Sequence, residues 1–104
     1  MPKGYWVAHM DVHDQDNYVK EYVSRNAAPL AEHGGKFLVR GGTSSPAAGN
    51  LRKRTVVVEF PSYQAALDCL NSPGYQEAMT HRDKYAVGDV VIVEGYDGPQ
   101  PGDQ

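Results

Sequence analysis

A histidine, an arginine and two glutamates, His9, Arg40, Glu59 and Glu94, fall on segments that alternate between apolar and polar residues, and together they are the parts of a proton-transfer site. An imidazole titrates near neutrality and can take or give a proton. A carboxylate beside it fixes its tautomer, and a guanidinium holds a carboxylate or enolate oxygen through two parallel bonds. In this reading His9, Glu59 and Glu94 are the catalytic candidates, Arg40 binds the substrate's anionic group, and Tyr5, a further substrate-binding candidate, stands with Asp11 at the rim. The rival reading is structural: Arg40 and Glu59 form an ion pair inside an interface, and His9 hydrogen-bonds a neighbour. Tyr22 and Tyr75 carry phenols on helical segments, where they either line a ligand pocket between helices and sheet or edge the core.

Other chemistries find less support. His9 and His13 flank Asp11, but four residues along a strand span about 13 Å, too far for two imidazoles to share an ion, so no metal site is expected. Cys69 sits among Ala65, Ala66, Leu67 and Leu70, surroundings in which a thiol is inert. The Gly41-Gly42-Thr43-Ser44-Ser45 run lacks the spacing of a phosphate-binding loop, so no nucleotide or other organic cofactor is expected.

These residues must be positioned by strands. Tyr5 to Val12, Lys36 to Gly42, Thr55 to Phe60 and Val90 to Glu94 alternate with a period of two, the period at which strand side chains change face. One set is Trp6, Ala8, Met10, Val12, Phe37, Val39, Val56, Val58, Phe60, Val91 and Val93, without a polar member. The other is Tyr5, Val7, His9, Asp11, Leu38, Arg40, Thr55, Val57, Glu59, Ile92 and Glu94. Asp14 can cap a helix from Gln15 that turns Tyr18, Val19, Tyr22 and Val23 to the core, breaks near Asn26 and restarts with Pro29 in its first turn. Gly34 and Gly35 stop it. Residues 41–50 read as a loop, and Arg52, Lys53 and Arg54 beside it as a solvated hairpin. Ser62 and Ser72-Pro73 start two further helices, the second carrying Tyr75, Ala78, Met79 and either His81 or Arg82 inward. The last strand follows Gly88.

The order β-α-β-β-α-β predicts an α+β, ferredoxin-like domain over residues 1–96, a four-stranded antiparallel sheet with helices on one face, followed by a flexible tail at 97–104. Val7, Leu38, Val57 and Ile92 on the helix-free face would form an apolar patch, so two sheets are expected to pair face to face as a homodimer. A chain of 104 residues with a net charge of −3 carries no basic field for nucleic acid. A lone cysteine points to a reducing compartment, and the N-terminus has neither a signal peptide's regions nor a membrane-spanning run, so a cytoplasmic protein is expected.

Several runs in this order carry a resemblance: Tyr5-Trp6, His33 to Gly42, Glu59-Phe60-Pro61-Ser62, Ser72 to Gln76 and Val93-Glu94-Gly95. Over residues 3 to 96 the chain resembles an uncharacterised family catalogued as domain of unknown function number 1330. That family resembles the dimeric α/β-barrel superfamily, which implies the same sheet-to-sheet dimer. Its relatives include cofactor-independent monooxygenases, small-lactone isomerases, haem enzymes and plain binding modules, so fold alone narrows the chemistry little. The expected function is cofactor-independent proton-transfer or oxygenation-type chemistry on a small carbonyl- or carboxylate-bearing, aromatic or similar compound. The alternatives are a non-catalytic ligand-binding or sensing module and a purely structural dimer.

Overall fold

The computed structural model describes residues 2–103. The chain runs β1 (Gly4–Val12), α1 (Gln15–Asn17), a π-helical segment (Tyr18–Val23), α2 (Ser24–Glu32), β2 (Lys36–Arg40), β3 (Arg54–Phe60), α3 (Tyr63–Leu70), α4 (Pro73–Tyr85) and β4 (Ala86–Glu94). The strands make one antiparallel sheet in the order β2-β3-β1-β4, with the helices on one face. This is the ferredoxin-like α+β arrangement that the patterning predicts. The core lies between the layers, where Trp6, Met10, Val58 and Phe60 of the sheet meet Tyr18, Tyr22, Leu30, Ala66, Cys69, Tyr75 and Ala78 of the helices. The Trp6 indole donates to the carbonyl of Ala66 at 3.0 Å, so the largest core side chain leaves no polar atom unmatched.

Helix starts follow from local hydrogen bonding. Asp14 accepts from the Asn17 amide at 3.2 Å, Ser62 from that of Ala65 at 3.0 Å and Ser72 from that of Tyr75 at 3.3 Å, each supplying an acceptor that the first turn lacks. The expected break near Asn26 is absent. α2 continues through Pro29, whose missing N–H frees only the carbonyl of Arg25, an exposed residue that water can serve. Pro29 itself is buried, and its carbonyl accepts from the Cys69 thiol at 3.4 Å. The irregularity comes earlier, in the π-helical segment, where Tyr18 and Tyr22 are both buried and Val19, expected inward, is exposed.

Two strands depart from simple alternation. In β2 the register passes from Phe37 opposite Val58 to Val39 opposite Val57, so Leu38 is the extra residue of a β-bulge and Arg40 comes opposite Val56. Arg40 therefore faces the helices and Val39 the helix-free side, the reverse of the expectation. In β4, Trp6 pairs with Ile92, Ala8 with Val90, Met10 with Gly88 and Val12 with Ala86. Ile92 and Glu94 thus have the helix-side phase, and Val91 and Val93 the opposite one. The strand begins at Ala86, immediately after α4, and Gly88 lies where a Cβ would collide with the main chain of His9 and Met10. That close approach fixes the phase.

Candidate functional site

The helix-free face does not assemble the expected proton-transfer group. Tyr5 pairs with Glu59, Val7 with Val57 and His9 with Thr55, so Glu59 and His9 stand four residue pairs apart, about 13 Å along the strand. The Tyr5 hydroxyl donates to Glu59 at 3.0 Å, and that bond to a carboxylate raises the phenol above its ordinary value. The cation beside Glu59 is Lys36, at 3.6 Å, not Arg40. His9 is exposed, with Nδ1 3.3 Å from the Thr55 hydroxyl, and its strand neighbour on β4 is Asp89 rather than a glutamate. Glu94 pairs with Gly4 at the far end of the sheet. His9, Glu59 and Glu94 are therefore three separate positions.

The convergence is on the other side. Between the π-helical segment, α2, α4 and the sheet lies a cavity of about 50 Å3, counted as space open to the centre of a water molecule, enough for a few ordered waters. An adjoining recess of about 260 Å3 shares Trp6, Tyr75, Arg82 and Val90 with it and continues between α4 and β4. The cavity walls are mostly apolar, including Trp6, Met10, Leu30 and Val56, but three guanidinium groups, those of Arg40, Arg54 and Arg82, also line it. Among the described residues no Asp, Glu or His lines it. Mostly apolar walls with a few convergent polar groups are the usual make-up of a small-molecule site.

Each polar group is held by an element. Tyr22 and Tyr75 approach to 2.7 Å between their hydroxyls, one phenol donating to the other, and Arg82 donates to the Tyr75 oxygen at 3.2 Å. Tyr75 and Arg82 lie seven residues apart on α4, two turns along one face. Burial, reinforced by the neighbouring Tyr22, pushes the Tyr75 phenol far above its ordinary value, and burial also raises Tyr18. Burial alone would lower Arg82, yet the Tyr75 and Tyr22 phenols and the Asp83 carboxylate hold it above its usual value. Tyr18 and Tyr75 thus keep their protons and Arg82 its charge at neutral pH, so this wall of the cavity offers an electron-rich guest no anionic side chain.

Three of the four substrate-binding candidates, Arg40, Tyr22 and Tyr75, line this cavity, while Tyr5 does not. Arg54 and Asn26 escaped the sequence reading. Arg54 belongs to the alternation Arg54, Val56, Val58, Phe60, so carrying that period back one residue past Thr55 places it on the helix side; it is no part of a solvated hairpin, because its Nε is fully buried. Arg82, left open with His81, is the one that lines the cavity.

Solved structures with the same fold are similar to this chain at low identity. RPA0582, a protein of unknown function from Rhodopseudomonas palustris, matches with a TM-score of 0.70 at 18% identity, covering 96% of this chain and 85% of that one. SnoaB, a cofactor-independent oxygenase from Streptomyces nogalater, matches with a TM-score of 0.61 at 15% identity over 100% of both chains. A putative antibiotic biosynthesis monooxygenase from Caulobacter crescentus CB15 matches with a TM-score of 0.62 at 18% identity, covering 95% and 92%. No curated protein matches in sequence. Residues 3–96 match the family described as domain of unknown function (DUF1330), and the chain belongs to it.

Proposed function

We propose that this protein binds a small, flat organic molecule bearing a carboxylate, enol or acidic phenol in the cavity between helices and sheet, and acts on it without an organic cofactor. The observation that carries the reading is the donor set: Arg40, Arg54, Arg82, Tyr22 and Tyr75 around an apolar cavity with no acidic side chain in its wall. Guanidiniums aimed at an oxygen stabilise negative charge on it more strongly in a water-poor pocket than in water. An enolate or phenolate held this way stays ionised and electron-rich. Oxygenation-type chemistry suits such a site because the protein has only to hold the anion and exclude water, and SnoaB and the Caulobacter protein carry names of that class on the same fold.

The cavity lacks a general base, which favours a substrate that arrives acidic over a carbon acid that needs His9 to ionise it. The same lack supports the second reading, a binding or sensing module. Oxygen uptake with a panel of acidic phenols and enolisable β-keto acids, with products read by mass spectrometry, separates the two. Turnover that is lost on Arg82→Met supports the enzyme, saturable binding with no product supports the module, and no binding of any member contradicts both.

The helix-free face belongs to a second copy of the chain in this reading. Val7, Leu38, Val39, Val57, Val87, Val91 and Val93 share it, with Leu38 52% and Val91 55% exposed in the single chain. A contiguous aliphatic face of this kind is what soluble monomers avoid, and an isologous pair of sheets buries it twice over. Among the described residues no helix is long and apolar enough to cross a membrane.

A further inference from the structure

We infer that Arg54 anchors the anionic group of the cavity's ligand and that Gly41 is the positioning residue that keeps its guanidinium in place; this rests on reading the cavity as a ligand site. Arg25, Arg52 and Arg82 each reach a carboxylate, at 2.7, 3.0 and 3.2 Å. Among the described residues neither Arg40 nor Arg54 makes such a pair, and of these two only Arg54 has a fully buried nitrogen, Nε, without a hydrogen-bond partner. A buried charged donor left unmatched is costly, and native structures keep one only where something else satisfies it. The group lies over the Tyr18 ring, 5.9 Å from its centroid, in the wall of the cavity. Nε and one Nη of a guanidinium form a fork that matches the two oxygens of a carboxylate. The ligand class is therefore an organic monoanion whose flat body rests against Trp6, Met10 and Val56 and whose charged end meets Arg54.

Gly41 explains why the guanidinium stays there. It follows β2 with φ +68°, and its amide donates to the carbonyl of Thr55 at 2.8 Å. A Cβ at this position would overlap the Arg54 guanidinium, with Cζ only 2.9 Å away. Any side chain here would force the Arg54 guanidinium to shift from this position. Gly49 supplies the matched control: its φ is +80°, yet a Cβ there meets nothing within 4 Å. Alanine at either site carries the same left-handed backbone penalty, but only at Gly41 does it strike Arg54.

The test uses benzoate and its neutral isostere benzamide, titrated into the full chain by calorimetry, with circular dichroism confirming that each variant is folded. Wild type is expected to prefer benzoate, and Arg54→Met to lose about 10- to 100-fold in benzoate affinity, the worth of a charge-assisted hydrogen bond, with benzamide unaffected. Arg54→Lys keeps the charge without the fork and should fall between. Gly41→Ala should reproduce the loss while Gly49→Ala does not. Benzoate affinity unchanged in Arg54→Met overturns the inference and leaves the cavity standing as a ligand site. Equal loss in Gly41→Ala and Gly49→Ala overturns the positioning role. Wild type that binds neither compound removes the inference and the ligand-site reading together.

Discussion

At the scale of single residues, the cavity's polar groups depend on one another. Tyr75 is the middle of a chain in which it bonds Tyr22 on one side and Arg82 on the other, all between helix and sheet. Tyr75→Phe removes one buried and one partly buried hydrogen bond while keeping the ring that packs on Trp6 at 4.7 Å between centroids. Because both former partners stay behind unmatched, the expected cost is about 1–3 kcal/mol in urea unfolding, together with weaker ligand binding. An unchanged midpoint would mean that water replaces the phenol. Cys69 is the opposite kind of residue, fully buried with its thiol donating to Pro29, and burial first, then the Glu32 carboxylate, pushes it up to about 12 from 9.0. The folded state thus holds the thiol proton more tightly than the unfolded chain. The resulting stability is complete below pH 9 and drains away as pH rises toward 12. Iodoacetamide at pH 8 should leave the native protein unmodified and label it in urea; rapid native labelling would show that the helix pair opens.

At the scale of elements, the sequence shows strand and helix positions better than strand phase. The ferredoxin-like order, the three serine or aspartate caps and the apolar face of β1 and β3 could all be read because polar and apolar residues alternate there or a capping side chain stands at the right place. Phe37-Leu38-Val39 and Val90-Val91-Ile92-Val93 are apolar at every position, so nothing in them distinguishes one face from the other. The bulge at Leu38 and the close packing of Gly88 on β1 decide the phase, and both are tertiary features. Arg40 and Glu94, candidates for the helix-free face, changed sides for this reason. Arg54 was readable, since its strand alternates cleanly. The bulge makes a specific prediction: deleting Leu38 leaves Phe37, Val39 and Arg40 with the partners they already have, so Arg40 stays on the helix side. Ligand affinity should then remain within about threefold of wild type, the scatter expected where no contact is lost. A collapse of binding would show that the bulge itself shapes the cavity.

At the scale of the whole molecule, the two faces of the sheet divide the work. One carries the cavity with its donors, and the other carries seven aliphatic side chains together with the separate polar pairs Tyr5–Glu59 and His9–Thr55. Sedimentation at micromolar concentration should show a dimer, and Val57→Asp with Val91→Asp should shift it to monomer by placing like, unpaired charges in the interface. A wild-type monomer would contradict the pairing while leaving the cavity intact, because its walls come from one chain. That independence singles out the decisive measurement for the central claim, that the helix side and not the helix-free face holds the organic ligand: a crystal structure of the protein soaked with benzoate. The account predicts density between Trp6 and Tyr18 with the carboxylate on Arg54; density beside His9 and Glu59, with the helix-side cavity holding only water, would contradict it.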